Sequence, residues 1–401
     1  MAVQARWNAQ RWRITVVTET YAPEINGVAL TLQRVVQGLC ARGHHVSLIR
    51  PRQGDEPMPV AQGGLTQVLT RGVPIPQYPQ LRAGLPAKQR LLGLWRRDRP
   101  DVVHVATEGP LGWSAVSAAK ALDIPVSTDF RTNFHAYSGH YGLGFLTGSV
   151  QAYLRRFHNR ADSTMVPTDS LREALSHKGF DRLLTVGRGV DTQQFSPQHR
   201  QASLRAQWGA GPDDLVVLYV GRLAAEKNLP LLALAWQAMA TVNPKLKLVV
   251  VGDGPQRASV LQWCPDAVMA GVRSGADLAA HYASADRFVF PSTTETYGNV
   301  IPEAMASGLA VLAYDYAAAA QWVSCGVNGW KVPMNDEGAF VEIARMLAHP
   351  SSAADAARVA ARASASDRDW SQIVWLIEDH WRGLLASKQP VPDRFAAFRA
   401  G

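Results

Sequence analysis

Short, largely apolar runs punctuate the chain and fall into two series. In the first half they are Ile14–Val17, Val46–Ile49, Val102–Val105 and Pro125–Thr128, rich in β-branched residues. Runs of this length and kind predict strands of a parallel sheet buried on both faces. Between the first two, Leu30 to Leu39 carries apolar residues at helical spacing, and Gly43 is a suitable helix stop. The second half repeats the grammar with Leu215–Val220, Leu246–Val251, Val268–Met269, Phe288–Phe290 and Ala310–Ala313, separated by Ala-rich helical stretches. Alternating strands and helices predict parallel sheets covered on both faces.

A chain of 401 residues is longer than the roughly 250–300 at which single cores stop growing. The two series therefore predict an α/β protein of two doubly wound domains. Gly, Asp, Ser and Pro cluster from Arg188 to Pro197, after the strand-like Leu183–Val186. The expected division is residues 1–190, residues 191–369, and a last helix with its tail over 370–401. In that helix Trp370, Ile373, Val374, Ile377 and Trp381 recur at helical spacing and need a surface to cover.

Composition narrows the class. Hydrophobic content of 47 % with 18 % charged residues is that of an ordinary globular protein. The three cysteines, Cys40, Cys264 and Cys325, fit neither a zinc site nor a disulfide framework. No apolar run approaches the roughly 20 residues of a membrane span, and the N-terminus lacks the pattern of a cleavable signal. A cytoplasmic protein is expected. The net charge is +8, and ten Lys or Arg against three Asp or Glu lie between Arg42 and Arg99. A local excess of this kind suits an anionic surface, although a solvated face has the same composition. Within it, Lys88 to Arg97 mixes cations with Leu91, Leu92, Leu94 and Trp95, the make-up of an interfacial helix. The expectation is peripheral contact with an anionic membrane; the rival is that Leu91, Leu94 and Trp95 pack on the first sheet while the cations face water. Nucleic acid is not expected, because no aromatic stacking platform is interleaved with the cations.

The residues with chemical character gather after strands. Thr294 to Gly308 follows Phe288–Phe290 and holds Glu295 and Glu303, with Gly298 and Asn299 at the turn into a helix and Pro302 in its first turn. Backbone N–H groups around Asn299 and Val300 could face a diphosphate or sugar hydroxyls. A carboxylate can accept hydrogen bonds from two neighbouring hydroxyls, so one could hold a donor sugar and the other a ribose. Glu303 could equally complement the helix dipole. The second group, Val220 to Asn228, has Gly221 at a tight turn and then Arg222 and Lys227. A guanidinium fork and an ammonium point charge suit a diphosphate at a sheet's carboxyl edge. The third, Thr18 to Val28, ends in the turn Asn26-Gly27. No G-x-G-x-x-G stands in either half, which weighs against a dinucleotide enzyme. His104 and Glu108 flank another strand exit, and Thr128 to Tyr141 is polar and rich in His and Tyr, as an acceptor-side loop would be. No D-x-D follows a strand, so neither a metal nor any other cofactor is expected.

Together these motifs resemble glycosyltransferase family 4, the retaining GT-B enzymes, over nearly the whole chain. The matching pieces are Asn26-Gly27-Val28, Val220-Gly-Arg followed by Glu226-Lys-Asn228, Gly252-Asp-Gly-Pro255, and the pair Glu295 and Glu303. Phe134 to Tyr141 looks most like the branch with diacylglycerol glycosyltransferases and lipid α-mannosyltransferases. The resemblance implies GT-B architecture: two Rossmann-like domains, an inter-domain cleft, and a C-terminal helix that crosses back to the first domain. It implies that Arg222 and Lys227 hold the donor diphosphate, that Glu295 contacts the transferred sugar and Glu303 the ribose. It also implies that the Asn26-Gly27 loop approaches the diphosphate. Where the family commonly has His-Thr this chain has Arg131-Thr132, and Arg188-Gly-Val-Asp191 replaces the usual Asn-Gly-Val-Asp.

The expected reaction is transfer of mannose or glucose from a GDP- or UDP-sugar to a hydroxyl, with the anomeric configuration kept and a membrane lipid as acceptor. The expected catalytic residues are Arg222, Lys227, Glu295, Arg131 and His104. The expected donor-binding residues are Asn26, Gly27, Gly221, Gly298, Asn299, Val300 and Glu303. The alternatives are a soluble or polysaccharide acceptor, a hydrolase or epimerase on the same fold, and a non-catalytic nucleotide-sugar-binding subunit. Donor turnover without acceptor would mark the hydrolase, and the presence of Glu295, Glu303, Arg222 and Lys227 weighs against the subunit.

Overall fold

The computed structural model describes residues 11–22, 24, 27–54, 56–57, 59–75, 78–131 and 147–388, Thr296 excepted. It divides into unit 1, residues 1–187 with 371–401, and unit 2, residues 188–370. The division falls at Gly187/Arg188, against the expected 190/191.

Unit 1 is built on β1 (Arg13–Val17), β2 (His45–Pro51), β3 (Leu65–Thr70), β6 (Val102–Val105), β7 (Val126–Asp129), β8 (Ser163–Val166) and β9 (Leu183–Thr185), with the hairpin β4 (Gly72–Ile75) and β5 (Tyr78–Gly84) inserted after β3. The sheet is parallel, in the order β3-β2-β1-β6-β7-β8-β9. Its central strands are closed to water, which is why they read as unbroken apolar runs. Edge strand β3 (LTQVLT) and the short β8 (STMV) carry polar residues that hide them from such a reading.

After unit 2 the chain returns to unit 1 for the helix Trp370–Lys388. Ile373, Val374, Ile377 and Trp381 are buried against unit 1. Val374 sits so close to Gly38 that a Cβ there would lie 2.6 Å from its Cγ2. Trp381 donates its indole N–H to Ser127 Oγ at 2.9 Å. Glu378, also buried, takes Arg42 Nε at 2.7 and 2.8 Å and His44 Nε2 at 2.7 Å. His44 Nδ1 accepts the N–H of Trp12, so the proton of the neutral ring lies on Nε2 and is donated to Glu378. Burial alone would raise the Glu378 carboxyl, but His44 and Arg42 outweigh it and hold it below its ordinary value.

The basic stretch folds differently from expectation. The helix Lys88–Arg97 turns Leu91, Leu92 and Trp95 into the core of unit 1, with Leu94 packed against it. These apolar residues fill a protein core and cannot double as a membrane-inserting face. The expected amphipathic insertion is therefore corrected: what remains on the surface is the charge of Lys88, Arg90, Arg96, Arg97 and Arg99. Arg50 is spent internally, in a two-pronged pair with Glu56 at 2.7 and 2.8 Å.

Unit 2 has β10 (Val216–Val220), β11 (Lys247–Val251), β12 (Val268–Gly271), β13 (Arg287–Phe290), β14 (Ala310–Tyr314) and β15 (Trp330–Val332). They form one parallel sheet in the order β12-β11-β10-β13-β14-β15. Helices cover it, and the strand side chains make one continuous apolar core with them. The chain enters and leaves unit 2 side by side: Val190 N–H donates to Arg368 O at 3.2 Å. Gly189 is needed there, since a Cβ would come within 2.8 Å of the Asp369–Trp370 backbone.

Candidate active site

In a doubly wound sheet, ligands bind where the strand order reverses, because neighbouring loops there diverge and open a crevice. In unit 2 that point lies between β10 and β13. The loops leaving these two strands and the helix after the second carry Gly221, Arg222, Lys227, Glu295, Gly298, Asn299, Val300 and Glu303. The structure thus brings together every expected site residue of the second half.

The first loop is braced from below. Gly221 N–H donates to Val251 O at 3.0 Å, and Leu223 N–H to Asp253 O at 2.9 Å. Gly252 has φ +137° and a Cβ there would lie 1.9 Å from Gly221 O, so only glycine allows the two turns to meet. Arg222 stands out to solvent and pairs with Glu226 one turn on. A single 3₁₀ turn, Ala225–Lys227, ends on Asn228 in the left-handed conformation, which starts the helix Leu229–Val242. Lys227 is largely enclosed, paired with Glu295 and 5.8 Å from the centre of the Phe290 ring.

The second loop is shaped around Glu295. Ser292 Oγ donates to Glu295 Oε1 at 2.9 Å, and Tyr316 OH to the Glu295 carbonyl at 2.9 Å. Gly298, at φ +89°, turns the chain beneath that side chain into the helix Val300–Ala306. Asn299, Val300 and Glu303 are half-buried. Glu303 accepts a hydrogen bond from Tyr282 OH at 3.0 Å. Burial pushes its carboxyl up to about 7, against a weaker lowering by Tyr282. Tyr282 comes from the helix Gly275–Ser284 and has no motif of its own. Glu226 stands within the Val220–Asn228 motif without a distinguishing signal, and Ser292 lies just before the Thr294–Gly308 motif.

Unit 1 treats its expected residues differently. His104 lies inside the sheet on β6, 2 % exposed, with Nδ1 on Ser127 Oγ at 2.9 Å and Nε2 3.4 Å from Asp129 Oδ2. Arg131 Nε donates to the same Asp129 oxygen at 2.6 Å. Burial works to raise Asp129, but Arg131 and His104 prevail and its carboxyl is held below the ordinary value. Asp129 is thus the hub of this group, and His104 is enclosed behind it. Gly27 opens the helix Gly27–Ala41 and is exposed. Asn26 and the stretch from Thr132 to Tyr141 lie outside the described residues.

One unit 1 carboxylate lies within the Thr18–Val28 motif without a role of its own in the sequence reading. Glu19, after β1, accepts the N–H of Leu111 at 3.1 Å at the start of the helix Pro110–Ala121. A Cβ on Gly109 would lie 1.9 Å from its Oε2. Burial is the main cause that pushes Glu19 up to about 7; Glu108 adds to it, and the backbone donors Leu111 and Gly84 oppose it.

Known proteins are similar to this chain in sequence and fold. The sequence model of Glycosyltransferase Family 4 matches residues 25–194, and that of Glycosyl transferases group 1 matches residues 214–349. A GDP-mannose-dependent alpha-mannosyltransferase of Mycolicibacterium smegmatis is 33 % identical over 379 residues, 94 % of this chain and 98 % of its own. An alpha-monoglucosyldiacylglycerol synthase of Streptococcus pneumoniae is 27 % identical over 75 % of this chain and 71 % of its own. Among solved structures, sucrose-phosphate synthase from Thermosynechococcus elongatus superposes with a TM-score of 0.75 at 19 % identity, covering 94 % of this chain and 100 % of its own. That likeness concerns the fold, which is GT-B. With a relative matched along nearly all of both chains and family models on both halves, the chain belongs to glycosyltransferase family 4 and is a glycosyltransferase.

Proposed function

We propose that the chain is a retaining, metal-independent hexosyltransferase that moves mannose or glucose from a GDP- or UDP-sugar to a hydroxyl of a membrane lipid. The observation that carries this reading is the pairing of Lys227 with Glu295 across the two loops at the reversal point of the unit 2 sheet, with Glu303 on the helix that follows the second loop. Cations for a leaving diphosphate and two carboxylates for hydroxyls stand on the two loops where a donor would lie. The relatives named for GDP-mannose-dependent mannosyl transfer and for monoglucosyldiacylglycerol support the sugars and the lipid.

As the bond from the anomeric carbon to phosphate breaks, negative charge grows on the departing diphosphate. Arg222 and Lys227 meet that charge, which needs no metal ion. Glu295, neutralised in part by Lys227, accepts hydroxyls of the transferred sugar, and Glu303 those of the ribose. No side chain among the described residues is set as a nucleophile, so in this reading the acceptor hydroxyl attacks the face the diphosphate leaves, and a phosphate oxygen takes its proton. The test is product formation from GDP-mannose or UDP-glucose with diacylglycerol or another lipid acceptor in the presence of EDTA. Glycolipid forms at an undiminished rate if the reading holds. Loss of activity restored by Mg²⁺ or Mn²⁺ contradicts metal independence, and donor hydrolysis without transfer contradicts the transferase reading.

No helix among the described residues is long and apolar enough to cross a membrane. The lipid is met, in this reading, from the inner face of the cytoplasmic membrane through the exposed cations of residues 88–99. Each cation near an anionic surface contributes about 1 kcal/mol. With the apolar residues turned inward, docking is electrostatic, so binding to anionic vesicles falls with salt and is largely lost when Lys88, Arg90, Arg96 and Arg97 become Gln. Equal co-sedimentation with neutral and anionic vesicles, or none with either, rules this contact out and favours a soluble acceptor.

A further inference from the structure

We propose that Arg188 is a positioning residue for the donor: it fixes the amide of Asn299 so that the amide N–H₂, and not its oxygen, faces the nucleotide sugar. This inference rests on the donor reading above.

Arg188 is the first residue of unit 2 and is 7 % exposed. Its guanidinium lies 5.2 Å from the centre of the Tyr297 ring. Tyr297 is itself immobilised: its OH donates to Arg188 O at 3.0 Å and accepts the indole N–H of Trp322 at 2.7 Å. The ring therefore forms a fixed platform, and the guanidinium on it points Nη1 at Asn299 Oδ1, 3.1 Å away. A side-chain amide has two nearly isosteric ends, and a half-exposed one can turn either to a ligand. A guanidinium carries donors only, so it can be met only by the oxygen end. Arg188 removes the choice. Asn299 Nδ2 is left with no hydrogen bond among the described residues, beside the Lys227–Glu295 pair's loop.

The ligand class follows from that polarity. The diphosphate offers acceptors only, and sugar hydroxyls accept as well as donate. An amide oxygen turned toward a diphosphate would repel it, and an N–H₂ attracts it. An Asn at position 188 would carry both donors and acceptors and would not enforce one orientation.

Donor affinity and steady-state kinetics of R188M, N299A and the double variant decide the matter, with GDP, UDP, GDP-mannose and UDP-glucose as probes in calorimetry. R188M and N299A each weaken the productive donor about tenfold in Kd and KM, the worth of one hydrogen bond to a charged group, with kcat changed little. The double variant is no worse than the weaker single, because both remove the same oriented donor. R188K recovers part of the loss. N299D, which keeps an acceptor for Arg188 but has no N–H, binds donor more weakly than N299A; since Asn299 is half-exposed, this variant remains informative where R188M folds poorly. Affinity lost with GDP or UDP alone assigns the contact to the diphosphate, and affinity lost only with the sugar nucleotides assigns it to a hydroxyl. Multiplying effects in the double variant, or R188M and N299D at wild-type affinity, overturn the proposal. If wild-type protein binds none of the four probes, the donor reading falls and this inference with it.

Discussion

Replacing Arg222 and Lys227 together with Ala lowers turnover by two to three orders of magnitude while the melting temperature changes little. The rate effect follows from their proposed task, which is to meet charge that appears only as the diphosphate departs. Removing one such preorganised donor costs about 10²–10³ in kcat elsewhere. The small stability effect follows from their surroundings. Arg222 pairs with Glu226 at the surface, with 63 % of its side chain exposed. Exposed pairs contribute little to stability. Lys227 is more enclosed, but Glu295 keeps the Ser292 hydroxyl after its loss. Initial rates of nucleoside diphosphate release, beside thermal melts, check both halves. Near-normal turnover in the double variant would remove the cations from the mechanism.

Glu303→Ala weakens the donor by about 1.5–3 kcal/mol, the range for hydrogen bonds to a charged group, or roughly 10- to 150-fold in Kd. Two opposed pH trends accompany it. Without ligand, burial raises the folded-state carboxyl from 4.5 to about 7. The folded protein then holds a proton that the unfolded chain releases, so Glu303 lowers stability as pH rises from about 4.5 to about 7, and the loss levels off above that. Donor binding runs the other way, because ribose hydroxyls donate to the ionised form. Wild-type donor affinity should climb through pH 7, while E303Q shows neither trend and melts higher than wild type above pH 7. Calorimetric affinity that stays flat from pH 6 to 8 in the wild type removes Glu303 from the ribose.

What the sequence discloses about this site depends on where the chemistry is local. Gly221, Arg222 and Lys227 lie on one short loop, and Glu295 to Glu303 on another, so strand ends and turn residues were enough to collect them. The buried strands β10, β11, β13 and β14 announce themselves because both faces are covered and every residue is apolar or nearly so. The edge strands β3 and β15 mix polar residues into short runs and leave no such trace. The partners of Tyr282 and Arg188 were hidden for another reason. Tyr282 reaches Glu303 from a separate helix, and Arg188 reaches Asn299 across 111 positions of chain, pairings that only tertiary packing creates. The burial of His104 was not legible either, because a histidine at a strand end suits both a ligand contact and an internal brace. The helix Lys88–Arg97 misled in the same way: an apolar stripe beside cations satisfies a sheet as well as a bilayer, and the sheet took it.

The most direct measurement is the anomeric configuration of the product. Purified protein, EDTA, a lipid hydroxyl acceptor and either GDP-α-mannose or UDP-α-glucose are incubated together, and the glycolipid is read by proton NMR. Front-face departure and attack beside Arg222, Lys227 and Glu295 predict an α-linked glycolipid and one nucleoside diphosphate per sugar transferred. A β-linked product, or free sugar in place of glycolipid, would contradict the account.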